Sequence, residues 1–296
     1  MTLIGGIVAG LISFLGWGTG DIFGAYSSRK IGGVATSFLA SIASFVFALF
    51  LLPFAPGKFA DFTPFILTLN IFLALFAILG NISLNISLKS SNAQIAGTIA
   101  GSFPVVVILI GILIFHDQIS FLELSSIILI FTGIILCSLD KSDQSKSNFW
   151  KDRGIHFAFL AMICWGIYFS FIRVVMEKVG WFIPHFVAIM IAIPSGYLIY
   201  KMTNESAKIS FKSNFYKIFG AVVCCAILLR TGDFAFNIAI QNGFSGIAGA
   251  IGGAYPALFV ILSHFIFKDP LTRFQKQGIT IALLGIILLS FVSYYL

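Results

Sequence analysis

The stretch Ile95-Ala96-Gly97-Thr98-Ile99-Ala100-Gly101-Ser102-Phe103-Pro104 returns about 152 residues later as Ile247-Ala248-Gly249-Ala250-Ile251-Gly252-Gly253-Ala254-Tyr255-Pro256. Continued without a gap, the register matches Phe115 to Phe267, Asp117 to Asp269, and Gly133-Ile134-Ile135-Leu136 to Gly285-Ile286-Ile287-Leu288. About a third of the positions from Ile95 to Leu136 are identical in the second copy, more than shared apolar composition produces. A chain that repeats itself over this length is two copies of one unit. Whatever one copy folds into, the other folds into as well.

What that unit is follows from charge. The chain is 59% hydrophobic and only 10% charged, with mean hydropathy +1.03, whereas soluble domains carry roughly 25% charged residues. It belongs in lipid, where a helix needs about 20 apolar residues to span. Ten such runs are legible: about Leu3 to Tyr26, Val34 to Phe54, Pro64 to Leu88, Ala93 to Phe115, Phe121 to Leu139, Gly154 to Met176, Phe182 to Tyr200, Tyr216 to Ile240, Ile247 to Phe267 and Phe274 to Tyr294. The basic turn Ser27-Ser28-Arg29-Lys30 and Gly32-Gly33 end the first run, and Pro53 and Pro56 the second. The predicted fold is an all-α membrane protein of ten transmembrane helices. Its parts are a first five-helix repeat at residues 1–139, a polar linker at 140–153 and a second five-helix repeat at 154–296.

Five spans is an odd number, so the second copy enters the bilayer from the opposite side and the two repeats lie inverted. That is the plan of secondary transporters, which place a site near the midplane between the repeats. The net charge of +7 is no sign of nucleic-acid binding, because the basic residues sit between apolar runs and form no continuous face. Of the 18 Lys and Arg residues, about 14 fall in loops opposite the termini, against Lys58, Arg173 and Lys178 on the termini side. Positive residues therefore put both termini outside. Cys137, Cys164, Cys224 and Cys225 lie within apolar runs without metal-ligand spacing and read as small buried residues. The first run continues to Asp21 without a positive n-region, unlike a cleavable leader.

The most expensive residues in such a chain are Arg230 and Asp233, in the eighth run, where each charge costs about 2.5 to 3.5 kcal/mol on the insertion scale. Their i, i+3 spacing puts them on one helix face. The plain explanation is a permanent ion pair. The functional one is that Arg230 meets an anionic substrate group while Asp233 meets an amine or takes up a coupling proton, and spacing does not choose between these. The repeat register lays Asn81 over Asp233 and Asn85 over Asn237, which sets polar groups of both copies at one depth. Interhelical hydrogen bonding, worth about 0.6 kcal/mol on average, explains such amides equally well.

Trp17 and Trp165 are matched in the first helix of each copy. Trp165 lies too deep for interfacial anchoring and points to a cavity wall. Asp21 is expected near a helix end, hydrated from the aqueous side. Gly97, Gly101, Gly249 and Gly253 form small-xxx-small faces suited to close helix packing, and Pro104 and Pro256 are expected to bend their helices around a cavity. His156, His185 and His264 lack metal-ligand spacing. No phosphate loop, HExxH or GxSxG is present, so neither a metal, a cofactor nor an enzymatic activity is expected.

With these residues laid out, the chain resembles the drug/metabolite transporter superfamily in its ten-helix branch of two EamA-type units. The resemblance rests on Trp17-Gly18 and Trp165-Gly166, Asn85 and Asn237, Pro104 and Pro256 followed by Phe115-His116-Asp117 and Phe267-Lys268-Asp269, and the closing Gly133-Ile134-Ile135 and Gly285-Ile286-Ile287. It implies export or exchange of a small metabolite through a central cavity, with Trp17, Asn81, Asn85, Trp165, Arg230, Asp233, Asn237 and Tyr255 as substrate-binding positions. Two departures stand out. Asp117 and Asp269 occupy a place where family units usually carry glutamate, and the family is usually drawn with both termini in the cytoplasm, against the count of positive residues.

The expectation is a multi-pass protein of the plasma (inner) membrane that carries a small polar or zwitterionic metabolite by alternating access. Its partners are the solute, a proton or counter-substrate, and the lipid bilayer, and a monomer suffices. The alternatives are a flippase for lipid-linked head groups, which needs a lateral opening, and a membrane-embedded enzyme, which needs converging catalytic groups that the sequence does not supply.

Overall fold

A computed structural model describes residues 2–55, 57, 59–116, 120–138, 149–203, 215–242 and 244–295, and these are almost entirely helical. The helices are α1 (Leu3–Ile31), α2 (Gly33–Leu51), α3 (Pro64–Ser90), α4 (Ala93–Ala100), α5 (Phe103–Ile110), α6 (Phe121–Ser138), α7 (Arg153–Val179), α8 (Ile183–Met202), α9 (Phe215–Gln241), α10 (Ser245–Gly253), α11 (Tyr255–Phe267) and α12 (Arg273–Tyr295). Among the described residues, seven helical stretches are long and apolar enough to cross a membrane, with Phe121–Leu136 and Ile251–Phe267 as shorter apolar helices. Their outward faces carry large apolar side chains, Ile4, Phe50, Leu113 and Phe265 among them, each at least 70% exposed. A surface of that kind is stable against hydrocarbon and not against water. The linker expected at 140–153 falls mostly outside the described residues, as does Asp117.

The first helix does not stop at Ser27-Ser28-Arg29-Lys30 as expected. It continues to Ile31 and ends at Gly32, whose φ of 103° has no penalty for a residue without Cβ. Basic side chains in a last turn face the negative end of the helix dipole and so do not stop it, and Arg29 also pairs with a carboxylate from the second copy: its Nη1 and Nη2 donate to Asp269 at 3.1 and 2.5 Å. Asp269 also accepts from the Ala93 amide at 3.1 Å, and the Arg29 guanidinium lies 4.3 Å from the centre of the Phe267 ring. Burial alone would push the Asp269 carboxyl up, but the hydrogen bonds from Arg29 and Ala93 and the Arg29 charge outweigh it and hold the group below its ordinary value. Nearby, Asn92 donates to the Pro270 carbonyl and Ser91 to Asp152, so the α1–α2, α3–α4, α6–α7 and α11–α12 connections gather at one end of the bundle.

The fourth and ninth runs are each interrupted at their centre, between α4 and α5 and between α10 and α11. After Ala100 the amide of Ser102 reaches back to the Ile99 carbonyl, and after Gly253 the amide of Ala254 does the same to Ile251. Pro104 and Pro256, lacking an N–H, then sit in the first turns of new helices, the position a proline tolerates best. The two copies agree in finer detail. His116 and Lys268, equivalent in the repeat, both end their helices in the left-handed region at φ 58° and 54°. Each is followed by a reciprocal cap, Ser120 with Glu123 and Thr272 with Gln275, in which the side chain of each residue bonds the amide of the other.

Packing is dominated by contacts between the copies: α1 on α9, α3 on α7 and α6 on α12 are the most extensive. Close approach depends on glycine. A Cβ on Gly133 would lie 2.5 Å from the Ala282 amide nitrogen, and one on Gly285 2.8 Å from Ile130 Cγ1. Gly97 and Gly101 serve packing as expected, pressed against Phe259 and Pro256, whereas Gly249 has open space around it. Cys164 and Cys225 are buried, but Cys224 is exposed.

Candidate functional site

The α1–α9 and α3–α7 contacts set the frame of the site. A Cβ on Gly232 would lie 2.9 Å from the ring of Trp17, and one on Gly80 2.6 Å from the ring of Trp165. Each copy thus seats its tryptophan on a glycine that the other copy supplies from a repeat-equivalent position. The residue after each glycine, Asn81 or Asp233, is carried to the space between the two rings.

Arg230 and Asp233 do form an ion pair, with Nη1 to Oδ2 at 2.9 Å. Asp233 is further engaged. Its Oδ1 accepts from Trp17 Nε1 at 2.8 Å, and its Oδ2 lies 3.1 Å from His185 Nε2. That same Nε2 is 2.5 Å from Arg230 Nη1. It serves only one neighbour at a time, donating to the carboxylate when it carries a hydrogen and accepting from the guanidinium when it does not. Tyr168 Oη lies 3.3 Å from the other ring nitrogen, Nδ1, and fixes the imidazole plane. His185 reaches the cluster because α8 begins at Ile183, with Pro184 in its first turn and the Pro184 carbonyl accepting from Asn70.

Two adjoining cavities of about 70 Å³ each flank this cluster, and Ala77, Asn81, Tyr168, His185, Leu229 and Arg230 line both. The inner one is lined further by Trp17, Phe103, Trp165, Phe169 and Tyr255 together with Asp21 and Asp233. Its walls are mutually braced: Trp17 packs edge-on to Tyr255 at 5.6 Å between ring centres, and Phe103 stacks on Phe169 at 4.9 Å. The other cavity runs between α2, α3, α8 and α9, past Ser37, Ser41, Ser44 and Asn85. On the flank formed by the start of α8, Phe182, Phe186 and Phe234 pack as an aromatic cap beside His185.

Of the residues expected at the site, Trp17, Asn81, Trp165, Arg230, Asp233 and Tyr255 line the inner cavity together. Asn85 borders only the other cavity, where its amide is occupied structurally: Nδ2 donates to Ser37 Oγ and the Asn81 carbonyl, and Oδ1 accepts from Ser28. Asn237 is buried but lines neither cavity. Asp21 overturns its expectation. It is 8% exposed and faces the inner cavity beside Asp233, because α1 runs on to Ile31 and leaves Asp21 ten residues inside the helix rather than near its end. His185 and Tyr168 were not anticipated. The signal for His185 was available, since an ionisable side chain in an apolar run is a candidate regardless of metal spacing.

A family comparison decides what such a chain is. The model of the EamA-like transporter family matches it twice, at residues 4–139 and 152–291. The chain belongs to the EamA-like transporter family. It is therefore a multi-pass membrane transporter of the drug/metabolite transporter superfamily, and the two repeat units read from the sequence are two EamA units. An uncharacterized transporter of Archaeoglobus fulgidus is 25% identical over 275 residues, covering 90% of this chain and 92% of that protein. An uncharacterized protein of Methanocaldococcus jannaschii is 28% identical over 142 residues, 47% of this chain but 97% of its own length. A solved crystal structure shares the fold at a TM-score of 0.67 over 98% of both chains, with 13% identity.

Proposed function

We propose that this EamA-family protein carries a small polar or zwitterionic metabolite by alternating access, holding it in the inner cavity between the two units. The observation that carries the reading is the cluster of Arg230, Asp233 and His185 with a second acid, Asp21, around an aromatic-walled cavity. Charges in an apolar span are expensive, and a purely structural protein gains nothing from keeping them beside empty space. On this reading the ten runs form two five-span units of opposite orientation. Support comes from the reciprocal seating of Trp17 on Gly232 and Trp165 on Gly80, which two copies related by a two-fold axis in the membrane plane would produce.

Such a device opens one end while closing the other. The Arg29–Asp269 pair ties α1 of the first unit to the α11–α12 connection of the second and acts as the closure at the basic end. By the count of positive residues this end faces the cytoplasm, with the protein in the plasma membrane and both termini outside. A proton or counter-substrate drives the cycle.

Reconstituted vesicles test the function. Saturable uptake of at least one solute from a panel of amino acids, sugars and nucleotides is expected, reduced at least tenfold by Arg230→Ala and by Asp233→Asn, since each removes about 1.4 kcal/mol or more of binding. If no solute moves, or if both variants transport like the parent, the assignment fails.

A further inference from the structure

The two acids of the inner cavity are not equivalent. Asp233 is fully engaged by Arg230, His185 and Trp17. Asp21 is 8% exposed, lines the same cavity, and has no hydrogen bond or ion pair among the described residues. Arg230 and Asp233 cancel, which leaves Asp21 as a carboxyl of the same cavity without a partner. An unpaired carboxylate in such surroundings is costly until a positive group reaches it.

The walls match a cation. Trp17, Trp165 and Tyr255 present aromatic rings to the cavity that Asp21 enters, and the negative faces of such rings attract ammonium groups by about 0.5 to 2 kcal/mol each. A free anion would meet the negative rings and Asp21 together. A neutral solute could hydrogen-bond Asp21 but would bring it no counter-charge.

We propose that Asp21 anchors a cationic group of the ligand, so that the solute taken into this cavity is a small primary amine or an ammonium-bearing zwitterion. This rests on the reading of the inner cavity as the substrate site and adds the chemical class. Arg230, which lines the same cavity, is the group that the carboxylate of a zwitterion would meet.

Thermal unfolding of the purified protein in mild detergent tests it with three probes of one shape: propylammonium chloride, sodium propionate and 1-propanol, at matched ionic strength. Propylammonium at tenfold its dissociation constant is expected to raise the midpoint by about 3 °C. The other two are expected to give no such rise. Asp21→Asn abolishes the shift and Asp21→Glu retains part of it. A rise with propionate or 1-propanol as large as with propylammonium, or one that persists in Asp21→Asn, overturns the proposal. Should Asp21→Asn not fold, the ranking of the three probes on the parent protein decides alone. Uptake in vesicles separates this from the transport reading: carriage of a solute without an amine removes the cation anchor and leaves the transporter, whereas propylammonium binding without uptake of any solute does the reverse.

Discussion

Replacing Asp233 by Asn keeps the side-chain shape but leaves one acceptor oxygen where two now serve Arg230 Nη1 at 2.9 Å, His185 Nε2 at 3.1 Å and Trp17 Nε1 at 2.8 Å. The guanidinium then has no counter-charge, and one of the three donors faces another donor. At the 2.9 Å separation of the pair, an effective dielectric of about 20 gives roughly 6 kcal/mol of attraction, most of it opposed by desolvation. Removing one partner strands the other, which costs about 3 to 5 kcal/mol. Arg230→Met, which removes the cation and keeps the length, strands Asp233 in turn. The double variant strands neither. A double-mutant cycle built from Asp233→Asn, Arg230→Met and both together is therefore expected to show a coupling of about 2 to 3 kcal/mol, with the double variant more stable than either single would suggest. Equilibrium unfolding in mixed micelles of mild detergent and SDS measures it. A coupling below about 0.5 kcal/mol would mean that the two charges are separately satisfied and that the pairing described above does not govern the site.

Gly80→Ala and Gly232→Ala each push a methyl into a tryptophan ring and are expected to destabilise by about 1 to 3 kcal/mol, Gly80→Ala the more because its clearance is smaller; the same unfolding assay ranks them. Asp269 is held below its ordinary value by Arg29 and the Ala93 amide, so the stability it contributes is complete above the unfolded-state pKa and drains away as pH falls through the lower folded value; a melting-temperature profile of Asp269→Asn is expected to lack that acid-side loss. Asn81→Ala is expected to lower transport at least tenfold while Asn237→Ala leaves it within about twofold, because only Asn81 lines the cavities; equal effects in vesicle uptake would contradict the geometry.

The helical class, the membrane setting, the two units and six of the cavity residues were legible in the chain because each rests on a local or periodic property. Uncharged runs of span length, a repeat register and the cost of burying Arg230 and Asp233 need no knowledge of neighbours. The repeated left-handed caps at His116 and Lys268 were open to the same reading through the Ser120–Glu123 and Thr272–Gln275 spacing.

The sequence by itself determined which segments are helices in lipid and that they come in two related sets. The tertiary structure decided which polar side chains face one another, since that depends on rotation about helix axes and on glycine-sized gaps between copies. Asp21 looked like a helix-end residue, but α1 runs on to Ile31, and Arg29 in its last turn meets Asp269, some 240 residues away in the second copy. His185 likewise meets Asp233 only because α8, packed on α2 and α3, and α9, packed on α1 and α2, face the same cavity, a relation no spacing along the chain encodes.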